Sequence, residues 1–356
     1  MSLLDIKVKP DFEAFRRNIL RQGTPERVHH LELLIDGAIK DAIVSRYDLD
    51  RALRPSDPFF SIKRDLALHR FLGMDTLYIW TAGFDFPIDR VHSDAPPPDP
   101  LLAQRTWVAR SGPIQTWEDF ERYPWPSVKN IDLRPWEWAE RNLPDDMAMV
   151  EFTGSILEMV SQSMGYEALC MGLFEKPDLV DAIFRKVGEL YVEQARLMTQ
   201  FTRIGAFWGS DDMGFRSQTL LPPQALREKC LPWHKALARI AHEAGKLYLV
   251  HCCGRVDAIM DDLIDDVGMD GKHSYEDAIM PVEEAKTRWG GRTAILGGMD
   301  MVFICRASEA EIRQRTREIL DACMPGGGYC LGTGNSVADY IPVDHYLAMV
   351  DEGRRY

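Results

Sequence analysis

The second half of the chain alternates short β-rich runs with amphipathic stretches, and this alternation limits the possible folds more than any other feature. The β-rich runs are "GAFWGS" (205–210), "KLYLVH" (246–251), "MDGKH" (269–273), "TAILGG" (293–298) and "GYCLG" (328–332). Between them, around 222–244, 254–266, 281–289 and 308–323, apolar residues recur at three- and four-residue spacing, the period of a helix with one buried face. Strands alternating with helices predict parallel strands joined by helical crossovers. Three runs upstream, "VHHLELLI" (28–35), "DTLYIW" (75–80) and "MAMVEF" (147–152), bring the expected strands to eight. The predicted fold class is therefore α/β, a single (β/α)8 TIM barrel over residues 1–356. Residues 81–140 carry Pro and Trp clusters ("DAPPPDP", "YPWP", "RPWEW") and no clear helical period, and are expected to form an elaborated connection after strand two.

Composition narrows the function classes. An apolar fraction of 46% with 27% charged residues supports a substantial core. With 42 basic and 55 acidic side chains the formal net charge is −13, which repels polyanions at long range and argues against a nucleic-acid partner. The start "MSLLDIKVKPDFEAF" lacks a basic segment followed by an apolar core, and no run approaches the roughly 20 apolar residues needed to span a bilayer. The expected compartment is the cytoplasm. Seven cysteines, an odd number on a long chain, suit reduced thiols or metal ligands better than a disulfide framework.

The stretch "KLYLVHCCGRVDAIMDDLI" ends an apolar run at a histidine and two cysteines. Expected at the C-terminal end of strand five, it falls where barrel enzymes keep their chemistry. Side chains alternate along a strand, so His251 and Cys253 should point to one side and Cys252 to the other. The strand-eight run "GGGYCLGTGNS" supplies Cys330 as the expected third ligand. One imidazole and two thiolates would leave Zn²⁺ uncharged with an open fourth position, as in catalytic zinc sites. Such a metal lowers the pKa of an incoming thiol or water. The competing reading is that these cysteines are small apolar core residues.

The order "RQGTPERVHHLELLID", "GSDDMGF…LPPQALREKCLPW", "LVHCCGRVDAIMDDL", "LGGMD" and "PGGGYCLGTGNSV" resembles the uroporphyrinogen decarboxylase superfamily. That superfamily is built on a (β/α)8 barrel and includes haem-pathway decarboxylases and methyltransferases that work with corrinoid proteins. Members similar to the zinc methyltransferases carry H-x-C followed much later by a cysteine, as His251, Cys253 and Cys330 do. The resemblance thus implies zinc, a methyl-corrinoid co-substrate on a partner protein, and a thiol or tetrahydrofolate-type acceptor. The decarboxylases instead carry "RQAGR" at the end of strand one, where this chain reads "LELLIDGAIK". Their "LGHG" is here "LGTG", with Thr333 in place of the histidine, and Asp85 is the nearest candidate for their acidic residue after strand two.

Other polar residues at expected strand ends each have a functional and a structural reading. Glu151 is a candidate proton carrier or fourth metal ligand, or half of an ion pair. Asp211 and Asp212 are candidates to orient a reacting group, or an Asx turn and helix cap. His273, Tyr275 and Glu276 are candidates to bind substrate or complete the zinc shell, against a satisfied core histidine. Asn335 is a candidate substrate donor or a cap. Asp300 and Gly326 to Gly328 are compatible with a phosphate site at the mouth of strands seven and eight, against the favoured reading of tight turns. Cys170, Cys230, Cys305 and Cys323 have no paired ligands in sequence, and packing accounts for them. Two other functions compete: uroporphyrinogen decarboxylation without metal, and a non-catalytic binding protein holding structural zinc.

Overall fold

The computed structural model describes residues 4–88, 90–92, 106–108 and 111–356; the cluster "DAPPPDP" lies outside them. The strands in chain order are β1 (Thr76–Ile79), β2 (Arg90–His92), β3 (Thr106–Val108), β4 (Ala148–Thr153), β5 (Ile204–Ser210), β6 (Leu247–His251), β7 (Gly271–His273), β8 (Ala294–Leu296) and β9 (Tyr329–Cys330). Seven of them form one parallel sheet in the order β1-β4-β5-β6-β7-β8-β9, and β2 and β3 pair antiparallel by themselves. Apart from this pair, sheet order follows chain order, as expected when each strand is followed by a helix that packs back on the same face.

The expected first strand, 28–35, is not a regular strand. His30 makes parallel bridges to Met74, just before β1, and to Leu331, just after β9. Leu31 N–H donates to Leu331 O and Leu331 N–H to His29 O, both at 2.9 Å. This segment therefore lies between the two edges of the seven-stranded sheet.

Side chains on the concave face follow the period-two rule. Leu31, Leu33, Val150, Ala206, Trp208, Leu247, Leu249, Ala294, Leu296 and Cys330 form one buried cluster. Phe15 and Ile19, from the helix Phe12–Ile19, complete it. That helix reaches the N-terminal ends of the strands, where Phe12 N–H donates to Asp146 O at 3.0 Å. A Cβ on Gly205 would lie 2.1 Å from the Phe12 ring, so only glycine admits the helix there.

The described residues within 81–140 include regular elements that the sequence does not suggest. Among them are the helices Trp117–Arg122 and Arg134–Asn142 as well as the β2/β3 ladder. The "RPWEW" cluster is helical because Pro135 occupies the first turn, where a missing N–H costs nothing. No helix among the described residues is long and apolar enough to cross a membrane.

Candidate active site at the C-terminal ends of the strands

His251 closes β6 and pairs in register with Ser210 on one side and His273 on the other. As period-two alternation requires, Cys253 returns to the same side, with its Sγ 3.3 Å from His251 Nε2. Cys252 turns the other way, into the core behind the sheet, and its Sγ accepts from Met213 N–H at 3.2 Å. Asp212, from the loop after β5, brings its carboxylate 3.4 Å from His251 Nε2. The same carboxylate accepts from Cys253 N–H at 2.9 Å. His251, Cys253 and Asp212 thus offer N, S and O atoms within 4.8 Å of one another.

Hydrogen bonding fixes the direction of the His251 ring. His273 Nε2 faces Thr333 O at 3.2 Å, and a carbonyl only accepts, so His273 carries its proton on Nε2. Burial lowers the His273 pKa well below its ordinary value and keeps the ring neutral, so its Nδ1 is an acceptor. His251 Nδ1 lies 2.8 Å from that atom and must donate to it. His251 Nε2 is left facing a carboxylate and a sulfur. A proton or a metal cation has to stand between them.

Either one supplies the positive charge that the surrounding acid groups lack. Burial and the neighbouring Asp212 raise the Cys253 thiol well above its ordinary pKa, so a thiolate at this position needs a positive charge beside it. Burial would raise Asp212 too, but its contacts with His251 and Cys253 N–H outweigh this and hold its carboxyl at about 2. Asn335 Nδ2 donates to Cys253 Sγ at 3.3 Å, and Ser274 Oγ lies 3.9 Å from the same sulfur. Glu276 is partly buried, which raises its carboxyl, with a hydrogen bond to Asn335 opposing the shift.

The structure corrects several sequence expectations. Cys330 does not join the group: it is fully buried among apolar side chains, and Asn18 Nδ2, from the helix at the opposite end of the strands, donates to its sulfur at 3.5 Å. The chain after β9 reaches the site later, at Thr333 and Asn335, so Cys330 lies too early on its strand. Glu151 faces outward, toward the helix Pro177–Met198, and not the site. It accepts from Gln194 Nε2 at 2.6 Å and from Thr81 Oγ1 at 2.9 Å, and burial raises it to about 8.

Asp211 also turns away from His251 and caps the helix Ile156–Met164, accepting from Leu157 and Glu158 N–H at 2.9 and 2.8 Å. Tyr275 is buried in the helix layer with its hydroxyl unpartnered. Its ring lies under the Lys272 ammonium, 4.4 Å away.

Sequence reasoning missed Lys272 and the aromatic column. Lys272, itself buried, donates to Cys252 O at 3.2 Å and Ser274 O at 2.8 Å, tying together the loops after β6 and β7. Trp80, 59% exposed after β1, stacks on Phe152, which stacks on Trp208, whose ring meets His273 edge-on at 6.0 Å. A lysine inside "MDGKH" was the available signal for the first. The second draws on three strands and has no local signature.

Comparison with known proteins supplies the relatives. A sequence model of the uroporphyrinogen decarboxylase family matches residues 111–356. A protein named uroporphyrinogen decarboxylase from Magnetococcus marinus is 25% identical over 321 residues, covering 86% of this chain and 79% of its own length. Another of that name, from Paraburkholderia xenovorans, is 28% identical over 101 residues, 28% of this chain and 25% of its own. A solved methyltransferase from Methanosarcina mazei superposes with a TM-score of 0.68 at 14% identity, covering 96% of this chain and 97% of its own. At that identity the likeness speaks for the fold.

Proposed function

Given that the chain belongs to the uroporphyrinogen decarboxylase family, we propose that it is a zinc-dependent methyltransferase on a (β/α)8 barrel closed by segment 28–35. It moves a methyl group between a corrinoid carried by a partner protein and a thiol or tetrahydrofolate-type acceptor. The observation that carries this reading is the convergence of His251 Nε2, Cys253 Sγ and an Asp212 oxygen within 4.8 Å of one another, with the His251 proton committed to His273. The donor set fits zinc, which takes imidazole, thiolate and carboxylate and keeps a position open in catalytic sites. Asp212 stands where the sequence suggested Cys330.

When bound there, zinc supplies the Lewis acidity that lets an incoming thiol exist as its anion at neutral pH. The remaining work belongs to the chain. His273 and Thr333 hold the His251 ring, as the hydrogen-bond partners behind metal-binding histidines do. Asn335 steadies the Cys253 sulfur. Glu276, raised by burial and hydrogen-bonded to Asn335, would take the proton that the thiol gives up. With zinc held by His251, Cys253 and Asp212, such a thiolate would attack the methyl carbon, and the cobalt–carbon electron pair would stay with the corrinoid co-substrate. The exposed ring of Trp80 offers a flat surface to a ring-bearing acceptor.

Uroporphyrinogen decarboxylation is the second reading, favoured by the name of the relative that matches over most of the chain. Against it, Arg21 to Gly23, whose "RQG" is similar to the start of the decarboxylases' "RQAGR", lie away from the site: Arg21 packs against Gly328, just before β9. The test is metal content by mass spectrometry together with methyl transfer from methylcobalamin to thiols. Cys253→Ala should lose one equivalent of zinc and the transfer activity, whereas Cys330→Ala should keep both. Turnover of uroporphyrinogen III by metal-free protein would replace this reading with decarboxylation.

A further inference from the structure

A second group of metal-type ligands lies behind the sheet and plays no part in the site above. Asp211, Cys230 and His234 are all buried, and their ligand atoms lie within 4.8 Å of one another. Asp211 Oδ2 is 2.9 Å from His234 Nε2 and 3.3 Å from Cys230 Sγ. Tetrahedral zinc with bonds of about 2.0–2.3 Å sets its ligand atoms about 3.3–3.8 Å apart, so a small opening of this cluster accommodates the ion. Met213 Sδ packs 4.0 Å from Cys230 Sγ and completes the apolar wall beside the three ligands.

Three further features suit a metal. Cys230 is delivered by a π-helical turn, Leu226–Cys230, at the start of the helix Leu231–Glu243, and such turns concentrate at functional positions. The ligands are held from outside: His234 Nδ1 lies 2.7 Å from the Tyr248 hydroxyl, and the other Asp211 oxygen accepts from Glu158 N–H. A carboxylate and a thiolate would neutralise a divalent ion, which a fully buried site requires.

We propose that Asp211, Cys230 and His234 form a second, buried site for a divalent zinc-type cation. Binding releases the Cys230 thiol proton to solvent, and the His234 ring keeps one proton, on Nδ1, which donates to the Tyr248 oxygen. Because Asp211 and Asp212 are adjacent, the ion would anchor the strand end that carries Asp212 to the first site. This goes beyond the proposed function and does not depend on it.

The test uses cobalt(II) as a spectroscopic substitute in the full-length Cys253→Ala protein, where the first site has lost its thiolate. Retention of one equivalent of cobalt with a thiolate-to-cobalt charge-transfer band, abolished by adding Cys230→Ser, is the expected result. A folded Cys253→Ala protein that shows no such band overturns the proposal and leaves a hydrogen-bonded Asp–His–Cys network. The two readings fail separately. Metal lost entirely in Cys253→Ala removes the second site and keeps the first, whereas metal held in Cys253→Ala at the wild-type level removes the first.

Discussion

His251 is directed by two groups behind it, His273 and the Thr333 carbonyl. Replacing His273 with Phe keeps a ring in place but removes the acceptor for His251 Nδ1–H. Zinc affinity should then fall about 10–100-fold, the usual cost of losing such a partner, as read by competition with a chromophoric chelator. An unchanged affinity would show that the ring is held by packing alone. The His251–Cys253 pair was legible in the sequence because alternation along one strand is a local rule. Cys330 was misplaced because height along the strands depends on the register between β8 and β9, which no local pattern encodes.

At the scale of elements, Glu151 joins β4 to the helix Pro177–Met198 as a buried carboxyl raised to about 8. Glu32, accepting from Thr333 N–H and Oγ1, is raised by burial to about 8 as well. A raised carboxyl binds its proton more tightly in the folded chain than in the unfolded one. Stability should therefore be highest below the unfolded value near 4.5 and fall as pH rises toward 8. Each group contributes a slope of at most about 1.4 kcal/mol per pH unit. Glu151→Gln, which needs no ionised form, should flatten that slope, measured by urea denaturation from pH 5 to 8.5; an identical slope would show Glu151 ionised in the fold. Gly205 presents a packing test. Gly205→Ala should destabilise by about 1–3 kcal/mol through overpacking against Phe12, seen as a lower denaturant midpoint. The strands and helices of the second half were readable from hydrophobic period, but the helices Trp117–Arg122 and Arg134–Asn142 and this close approach between elements far apart in the chain were not.

For the molecule as a whole, a metal that binds only the folded chain shifts the unfolding equilibrium by mass action. A chelator should lower the melting temperature and added zinc should raise it in a concentration-dependent way, whereas a fold indifferent to both would argue against any bound metal. The parallel α/β class and the His251–Cys253 pair were determined by the sequence itself. Each follows from the period of apolar residues along one stretch of chain. Tertiary structure alone decided that segment 28–35 meets both edges of the sheet through His30. It also decided that Asp212 and Asn335 flank Cys253 while Cys330 is sealed in the core. The reason is physical: periodicity sets which face a side chain takes, but the neighbours it meets depend on how strands distant in the chain are staggered and closed upon one another.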